Sequence, residues 1–199
     1  MATNSERRIL TALTGLLDDR DPSEITITGL VAEAGVTRPT FYAIFGDLPT
    51  AFARAALARM ADAFAGEAVV EVTVDQRPEV MLGAIGRILG RLGQHADFYS
   101  RVVSGHGGQL VQAGAVDFLA DELLTNTPVG PLLRAGRIAP ETSARAVAAA
   151  VVWTVLDWLG SSGRTPVGEL AVTVRDLVLY SVVGGLASAT PDEDRKESS

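Results

Sequence analysis

The sequence contains no cysteine, only two histidines, and a single lysine, Lys196, beside its arginines. Without cysteine the chain can form neither a disulfide framework nor a thiolate metal site. His95 and His106 are too few to build a zinc site by themselves. These absences exclude the disulfide-stabilised small proteins and the cysteine-ligated metalloproteins as classes for this chain.

Long uncharged runs are also missing. The longest uncharged windows, 146–156 and 177–191, are shorter than the roughly 18 apolar residues that indicate a membrane span. The N-terminal stretch MATNSERRILTALTGLL has charges where a signal peptide needs an apolar run. We therefore expect a soluble, cytoplasmic protein that has no membrane partner.

Apolar residues are abundant, and acidic residues outnumber basic ones. A chain of 199 residues with 47% hydrophobic content can bury a large core. Its formal net charge of −7 does not favour attraction of the whole protein to a phosphate backbone. Any nucleic-acid surface must therefore be local.

The apolar spacing predicts helices from the start of the chain. Residues 5–19 repeat apolar positions at i, i+3, i+4 and i+7, as an amphipathic helix does. Thr26 is a suitable N-cap for a short second helix, and Gly35 is suited to end it with a positive φ. Thr37 can cap a third helix, in which Pro39 occupies the first turn, where its missing N–H costs nothing.

Two short helices joined by AGVT have the form of a helix-turn-helix, in which the second helix enters the DNA major groove. An ordinary helical hairpin has the same spacing, so the spacing alone leaves both interpretations open. Phe41, Ile44 and Phe45 share one face of the third helix, which leaves Arg38 and Tyr42 pointing outward. A guanidinium and a phenol both donate to phosphate oxygens, and this favours DNA binding.

The stretch TITGLVAEAGVTRPTFYAIFGDLPTAF, residues 26–52, resembles the DNA-binding signature of the TetR family of transcriptional repressors. The resemblance implies an all-α fold, with an N-terminal three-helix helix-turn-helix domain followed by a larger helical ligand-binding and dimerisation domain. We place these domains at 1–47 and 48–187, with a disordered acidic tail at 188–199. The implied protein is a homodimer that binds palindromic operator DNA, is released by a small-molecule effector and uses no cofactor.

Carried over position by position, the resemblance assigns six residues to the DNA contact: Thr28, Thr37, Arg38, Pro39, Thr40 and Tyr42. Arg38 suits a guanine edge because its guanidinium can make two parallel hydrogen bonds. Tyr42 and Thr28 are better placed for phosphates.

Three positions depart from the family pattern. Leu48 stands where a lysine is usual, Pro49 where an acidic residue is usual, and Gly29 where an acidic capping-box partner is usual. The segment 1–65 also carries six arginines against eight acidic residues, a net charge of −2. We therefore expect weak nonspecific DNA binding that depends on few contacts and on dimer symmetry.

The remaining chain predicts a helical body with an apolar ligand site. Such sites combine many apolar walls with a few polar groups. From the aromatic residues and possible polar anchors we select Phe98, Phe118, Trp153 and Asp157. The wider set is Phe64, Tyr99, Trp158, His95, Arg101 and His106. Aromatic residues at such positions are more often core than cavity lining.

Two long helices, predicted over 140–159 and 166–187, close the fold. The first is apolar on nearly all sides, so it must be covered both by the body and by another surface. Ser181, Gly185 and Ser188 form a strip of small side chains on the second. The resemblance implies a four-helix dimer interface built from these helices, whereas burial of both within one chain is the alternative.

Catalytic motifs do not appear. The sequence has no Gly-x-Ser-x-Gly elbow, no metal-ligand cluster and no dinucleotide fingerprint, so we expect no enzyme. The remaining alternative is a helical dimer that binds a small molecule or protein and has lost DNA binding. The acidic first domain and Leu48 favour that alternative.

Overall fold

The computed structural model describes residues 3–67, 72–105 and 107–187, with side chains described as far as Val182. Over these residues the chain is all-helical, as predicted, with a short 3-10 turn at Pro22–Glu24. His106, Ser188 and the tail predicted at 188–199 lie outside the described residues. The helices are α1 (Asn4–Asp19), α2 (Ile27–Ala34), α3 (Arg38–Phe45), α4 (Leu48–Phe64), α5 (Arg77–Gly93), α6 (Ala96–Ser104), α7 (Gly108–Thr125), α8 (Gly130–Ala135), α9 (Pro140–Gly160) and α10 (Val167–Ala187).

Side-chain caps set the starts of the first helices. The hydroxyls of Thr26 and Thr37 and the carboxylate of Asp47 each accept a hydrogen bond from a first-turn N–H, at 3.2, 3.3 and 2.8 Å. These bonds satisfy donors that have no partner within the helix. The caps predicted at Thr26 and Thr37 are confirmed, and Asp47 caps α4 in the same way.

The first three helices pack around the inner face of α1. Ile9, Leu13 and Leu17 of α1 are fully buried, and they lie in one core with Leu30 of α2 and Phe41 of α3. Because apolar residues of α2 and α3 face this core, the opposite face of α3 is left to solvent.

The helices that follow the helix-turn-helix, α4 to α10, form the body. In it α7 and α9 pack closely on each other and are surrounded by the other helices. Helix α4 packs on α7, α6 on α9, and α5 on α10. α4 has 17 residues and is about 25 Å long, so it extends from the first three helices into the body. The hydrophobic core is continuous from α1 to α10.

By length and composition, α9 is apolar enough to cross a membrane. The core helix of a soluble protein has the same properties, and α9 buries eight residues within the molecule. Its apolar character therefore gives only weak evidence of a span.

The helices predicted over 5–19, 140–159 and 166–187 are found at Asn4–Asp19, Pro140–Gly160 and Val167–Ala187, each within one residue of the predicted bounds. The turn Pro22–Glu24 and helix α8 were not predicted, because three and six residues are too few to show a periodic pattern. α8 carries Leu133 into the core, where it is 3% exposed.

Candidate nucleic-acid interface and internal cavity

The turn between α2 and α3 requires a glycine. Gly35 has φ +60°, the left-handed conformation in which side chains with a Cβ are strained. The Arg8 guanidinium donates to the Gly35 carbonyl at 2.8 Å, which ties α1 to this turn. The angle between α2 and α3 therefore depends on a backbone conformation and on a bond from a third helix.

The exposed face of α3 and the start of α2 form one polar surface. Arg38 donates through Nη2 to the Thr28 hydroxyl, which joins the two helices. The hydroxyls of Thr37 and Thr40 lie 2.9 Å apart. Tyr42 is 52% exposed although it is a large aromatic residue, and its ring meets Phe41 edge-on at 5.7 Å. The surface thus presents a guanidinium, a phenol and hydroxyls, groups that can hydrogen-bond to phosphates and base edges.

Leu48 lies next to this surface but points towards the core. It is half-buried and packs against the hydrophobic cluster at the start of α4, directly after the capping Asp47. The hydrogen bond from Thr50 lowers the pKa of Asp47, so this carboxylate stays ionised. Leu48 therefore contributes packing where a lysine would contribute a positive charge.

The C-terminal end of α1 is bound to the body at a junction made by Asp18, Arg59, Phe98 and Arg101. Arg59 of α4 bonds the Asp18 carboxylate, with Nη2 to Oδ2 at 2.8 Å, and its guanidinium lies 4.2 Å from the centre of the Phe98 ring. Hydrogen bonding by Arg59 lowers the pKa of Asp18. Arg101 of α6 donates to the Leu17 and Asp18 carbonyls at 3.0 and 2.7 Å. α4 and α6 therefore both hold the end of α1.

A cavity of about 170 Å³ lies inside the body. Helices α4, α5, α6, α7, α9 and α10 contribute its wall, which is mostly aliphatic. Phe64 lines it and meets the Phe118 ring edge-on at 5.1 Å. The polar lining residues are Glu67, Tyr99, Glu122, Asn126 and Thr127. Space of this kind, with apolar walls and few polar groups, is typical of small-molecule sites.

The helical fold is similar to that of several solved structures along nearly the whole chain. AlkX, a TetR-family repressor from Dietzia sp. strain DQ12-45-1b implicated in biodegradation of n-alkanes, matches with a TM-score of 0.60 at 16% identity, over 94% of this chain and 99% of AlkX. A TetR transcriptional regulator from Rhodococcus sp. RHA1 matches with a TM-score of 0.61 at 14% identity, over 90% of this chain and 95% of that one. A tetR-family transcriptional regulator from Streptomyces coelicolor matches with a TM-score of 0.53 at 21% identity, over 93% and 85% respectively.

This chain has the TetR-regulator fold. No protein-family model and no curated protein matches its sequence. The similarity is therefore structural, and it agrees with the resemblance of residues 26–52 to the family signature.

Within this TetR-regulator fold, the six residues predicted for DNA contact lie together. Thr28, Thr37, Arg38, Pro39 and Tyr42 are exposed and Thr40 is half-buried. Thr28 lies at the start of α2, Thr37 is the N-cap of α3, and the others lie on α3. The structure thus brings the predicted set to one surface.

The four selected ligand residues lie outside the described wall of the cavity. Phe98 is buried beneath Arg59 at the junction, and Phe118 packs behind Phe64. Trp153 is 64% exposed, and Asp157, one turn further along α9, is also exposed. Of the wider aromatic set, Phe64 and Tyr99 line the cavity.

The other cavity residues come mainly from apolar helix faces. Met81, Ile85, Ile88, Leu89 and Leu92 of α5 all line it. Their i, i+3, i+4 spacing identifies an inner helix face, and this was the sequence signal available for them. A helix packed against its neighbours without a gap has the same spacing, so the spacing alone does not predict a cavity.

Proposed function

We propose that this protein is a ligand-responsive transcriptional regulator, in its simplest form a cytoplasmic repressor. As a homodimer it binds palindromic operator DNA through α3, and a small, largely apolar effector in the body releases it. One observation carries the proposal. The exposed polar surface formed by α3 and the start of α2, called here the reading face, belongs to a helix-turn-helix that is joined through a shared core to a body with an apolar cavity.

Arg38 is the residue proposed to read a base. It occupies the first position of α3, and the N-terminal end of a recognition helix is the part that reaches base edges. The Thr28 hydroxyl holds its guanidinium on the exposed surface. In the complex we assign Arg38 to a guanine, Tyr42 and Thr28 to phosphates, and Thr37, Pro39 and Thr40 to the surrounding contact.

The exposed faces of α9 and α10 support the dimer. Trp153 on α9 is 64% exposed and Tyr180 on α10 is 76% exposed. Ala146 and Ala149 are exposed on the same side of α9 as Trp153, at helical spacing of about one turn. Exposed aromatic and aliphatic side chains on a soluble surface indicate a contact site. A second copy of the chain is the partner that a palindromic operator requires.

The junction is the proposed route from the effector to the DNA. α4 and α6 both line the cavity, and both bind the C-terminal end of α1 through Arg59 and Arg101. An effector that binds more tightly to a form of the protein with a wider cavity would move α4 and α6, and α1 with them. The spacing of the two recognition helices would then depart from the roughly 34–36 Å that one helical turn of DNA requires.

Selection of bound duplexes from a random library tests the proposal. The full chain should enrich an inverted repeat, since two identical α3 helices related by a two-fold axis read the same half-site twice. Trp153→Glu should yield a monomer that no longer prefers inverted repeats. Leu110→Glu is the matched control and should remain dimeric. Leu110 lies on α7 and is 48% exposed.

The second candidate is a dimeric ligand-binding protein that does not bind DNA. The net charge of −2 over residues 1–65 and the packing of Leu48 into the core favour it. If a chain shown to be dimeric enriches no duplex from the library at low salt, this candidate replaces the proposed regulator.

A further inference from the structure

Several apolar side chains that line the cavity are only partly covered by the protein itself. Met60 of α4, Ala84, Ile85 and Ile88 of α5 and Leu119 of α7 all line it, and each is half-buried. Apolar surface beside a gap lacks the packing contacts that a filled core provides. A ligand that covers this surface would gain free energy in proportion to the apolar area that it removes from water.

The two carboxylates of the wall are already bonded to the protein. Arg87 and Arg91 bind the Glu67 carboxylate at 2.7 and 3.0 Å. The Glu122 carboxylate accepts a hydrogen bond from the Asn126 amide at 3.2 Å. A cationic ligand would have to compete with these partners, and no lysine, arginine or histidine is among the described lining residues to receive an anion. Ions of either sign would therefore lose hydration in the cavity without full compensation.

The hydroxyl groups of the wall are also not free to bind a ligand. The Thr127 hydroxyl donates to the Leu123 carbonyl at 2.8 Å. The Tyr99 hydroxyl oxygen is buried behind the wall, so a molecule in the free space does not touch it. A hydroxyl or amide on a ligand would therefore leave its water partners without a replacement among these groups.

The volume of the cavity limits the ligand. At about 170 Å³ it is slightly larger than an engineered cavity of about 150 Å³ that binds benzene. One ring with a short substituent, or a short chain of similar bulk, would fill it.

We propose that the cavity binds an uncharged, hydrocarbon-like molecule of about the size of one substituted ring, held by apolar contact and without a hydrogen bond to the protein. This inference rests on the proposed function only in taking the bound molecule as the effector. The binding itself is measurable without DNA.

Ala84 is the position at which the size of the cavity can be changed. It lies on the same face of α5 as Met81, Ile85 and Ile88, which are larger side chains that also line the cavity. Leucine at position 84 would add a branched alkyl group on this face and occupy the space of the ligand. Ala113→Leu is the matched control, because Ala113 is exposed on α7 and is not among the described lining residues.

Four probes with one benzene ring test the chemistry of the site. Ethylbenzene, benzyl alcohol and benzylammonium have the same size and end in a methyl, a hydroxyl and an ammonium group, and benzoate supplies an anion. Their dissociation constants are measured by ligand-detected NMR titration of the full chain. The same titrations are repeated with Ala84→Leu and Ala113→Leu.

Ethylbenzene should bind the unchanged protein about ten-fold or more tightly than benzyl alcohol, because the hydroxyl loses water without gaining a partner. Benzylammonium and benzoate should not bind measurably. Equal or tighter binding of benzyl alcohol would show that the wall supplies a hydrogen bond and would overturn the proposal. Equal or tighter binding of either ion, or failure of ethylbenzene to bind, would also overturn it.

The variants test the place of binding. Ala84→Leu should weaken ethylbenzene by about ten-fold or more, since most of the apolar contact is lost, whereas Ala113→Leu should leave its affinity unchanged. Thermal unfolding of both variants shows whether they are folded. Unchanged ethylbenzene affinity in a folded Ala84→Leu would place the probe elsewhere and overturn the proposal.

The methionine methyl groups locate the probe without a change to the cavity. Met60 of α4 and Met81 of α5 both line it. In the full chain labelled with ¹³C-methyl methionine, saturation with ethylbenzene should shift both signals, which Met60→Leu and Met81→Leu assign. Saturation that shifts neither signal would overturn the proposal even if Ala84→Leu does not fold. Failure of the full chain to bind any duplex would instead contradict the proposed regulator and leave the probe affinities to decide the ligand class.

Discussion

Replacement of Arg38 by alanine is the most direct test of the reading face. Arg38 begins α3, is exposed, and donates a hydrogen bond to the exposed Thr28 hydroxyl. Its loss should change the free energy of unfolding by no more than about 0.5 kcal/mol. A bidentate arginine–guanine contact contributes about 1–3 kcal/mol, and a symmetric dimer makes it twice. The expected loss is therefore about 2–6 kcal/mol, or at least roughly thirty-fold in Kd for the operator.

Fluorescence anisotropy separates base reading from phosphate binding. The operator selected from the random library and a scrambled duplex of equal length are titrated at several salt concentrations. A base contact predicts a large loss on the operator, a small loss on the scrambled duplex and a nearly unchanged salt slope. A phosphate contact predicts similar losses on both duplexes and a slope reduced by about 0.9 for each arginine.

Arg134→Ala is the matched control. Arg134 is an exposed arginine of α8 whose Nη2 donates to the Leu124 carbonyl at 2.6 Å, within the body. Its removal should leave both affinities unchanged. Equal losses on operator and scrambled DNA in Arg38→Ala would refute base reading by this residue. Unchanged operator affinity in that variant would refute the assignment of α3 as the recognition helix.

Two further predictions concern the first helices. Gly35→Ala should destabilise the fold by about 1–2 kcal/mol, because a left-handed backbone is strained for alanine and the added Cβ would lie 2.2 Å from the Arg8 guanidinium. Gly15→Ala, inside α1 with no atom beyond the neighbouring backbone of α1 within 4 Å of the added Cβ, should instead stabilise it by about 0.5–1 kcal/mol; urea denaturation giving shifts of the same sign would contradict this reasoning. The Arg59 bridge lowers the pKa of Asp18 in the folded chain, so its stabilisation is present above about pH 4 and is lost as the pH falls below that value. Asp18→Asn should therefore cost about 0.5–1 kcal/mol at neutral pH, since the pair is partly exposed, and a cost that does not shrink in thermal unfolding as the pH is lowered from about 7 towards about 2 would show that the bridge is not its source.

The helix-turn-helix was predictable because its signals are local. A threonine or aspartate before an apolar run specifies a helix start through one hydrogen bond to the next turn. Gly35 specifies the turn through a conformation that other residues avoid. Pro39 fits because a first-turn N–H needs no helical partner. Each signal acts within about four residues, so the sequence contains all that is needed to interpret it.

The cavity was not predictable in the same way. Phe98 and Tyr99 are neighbours on α6, yet one lies beneath the Arg59 guanidinium and the other lines the cavity. Which of the two faces the gap depends on how α4, α6 and α9 pack, and these contacts join residues far apart in the sequence. Periodicity identifies an inner face, but it does not show whether the opposite helix fills the space.

Trp153 and Asp157 show the same limit of sequence-based prediction for residues that turn out to be exposed. They are four residues apart and share one face of α9, as helical spacing requires. Because α9 is apolar on nearly all sides, its sequence does not indicate which face the body covers. The body packs on the opposite face, so the Asp157 carboxylate is exposed to solvent and needs no partner. Trp153 is exposed as well, which leaves it available to the second chain of the proposed dimer.

The net charge of residues 1–65 also takes a different meaning in three dimensions. Arg54 pairs with Glu6 and Arg59 with Asp18, so these arginines hold helices together and are not available as free phosphate ligands. Arg38 is the cation among the described residues of the reading face, and the Thr28 hydroxyl holds its guanidinium in place. A surface of this kind attracts a phosphate backbone weakly, because few counterions are displaced from the DNA. In the proposed complex, discrimination between sequences must therefore come from base contacts and from the doubling of a small number of them by dimer symmetry.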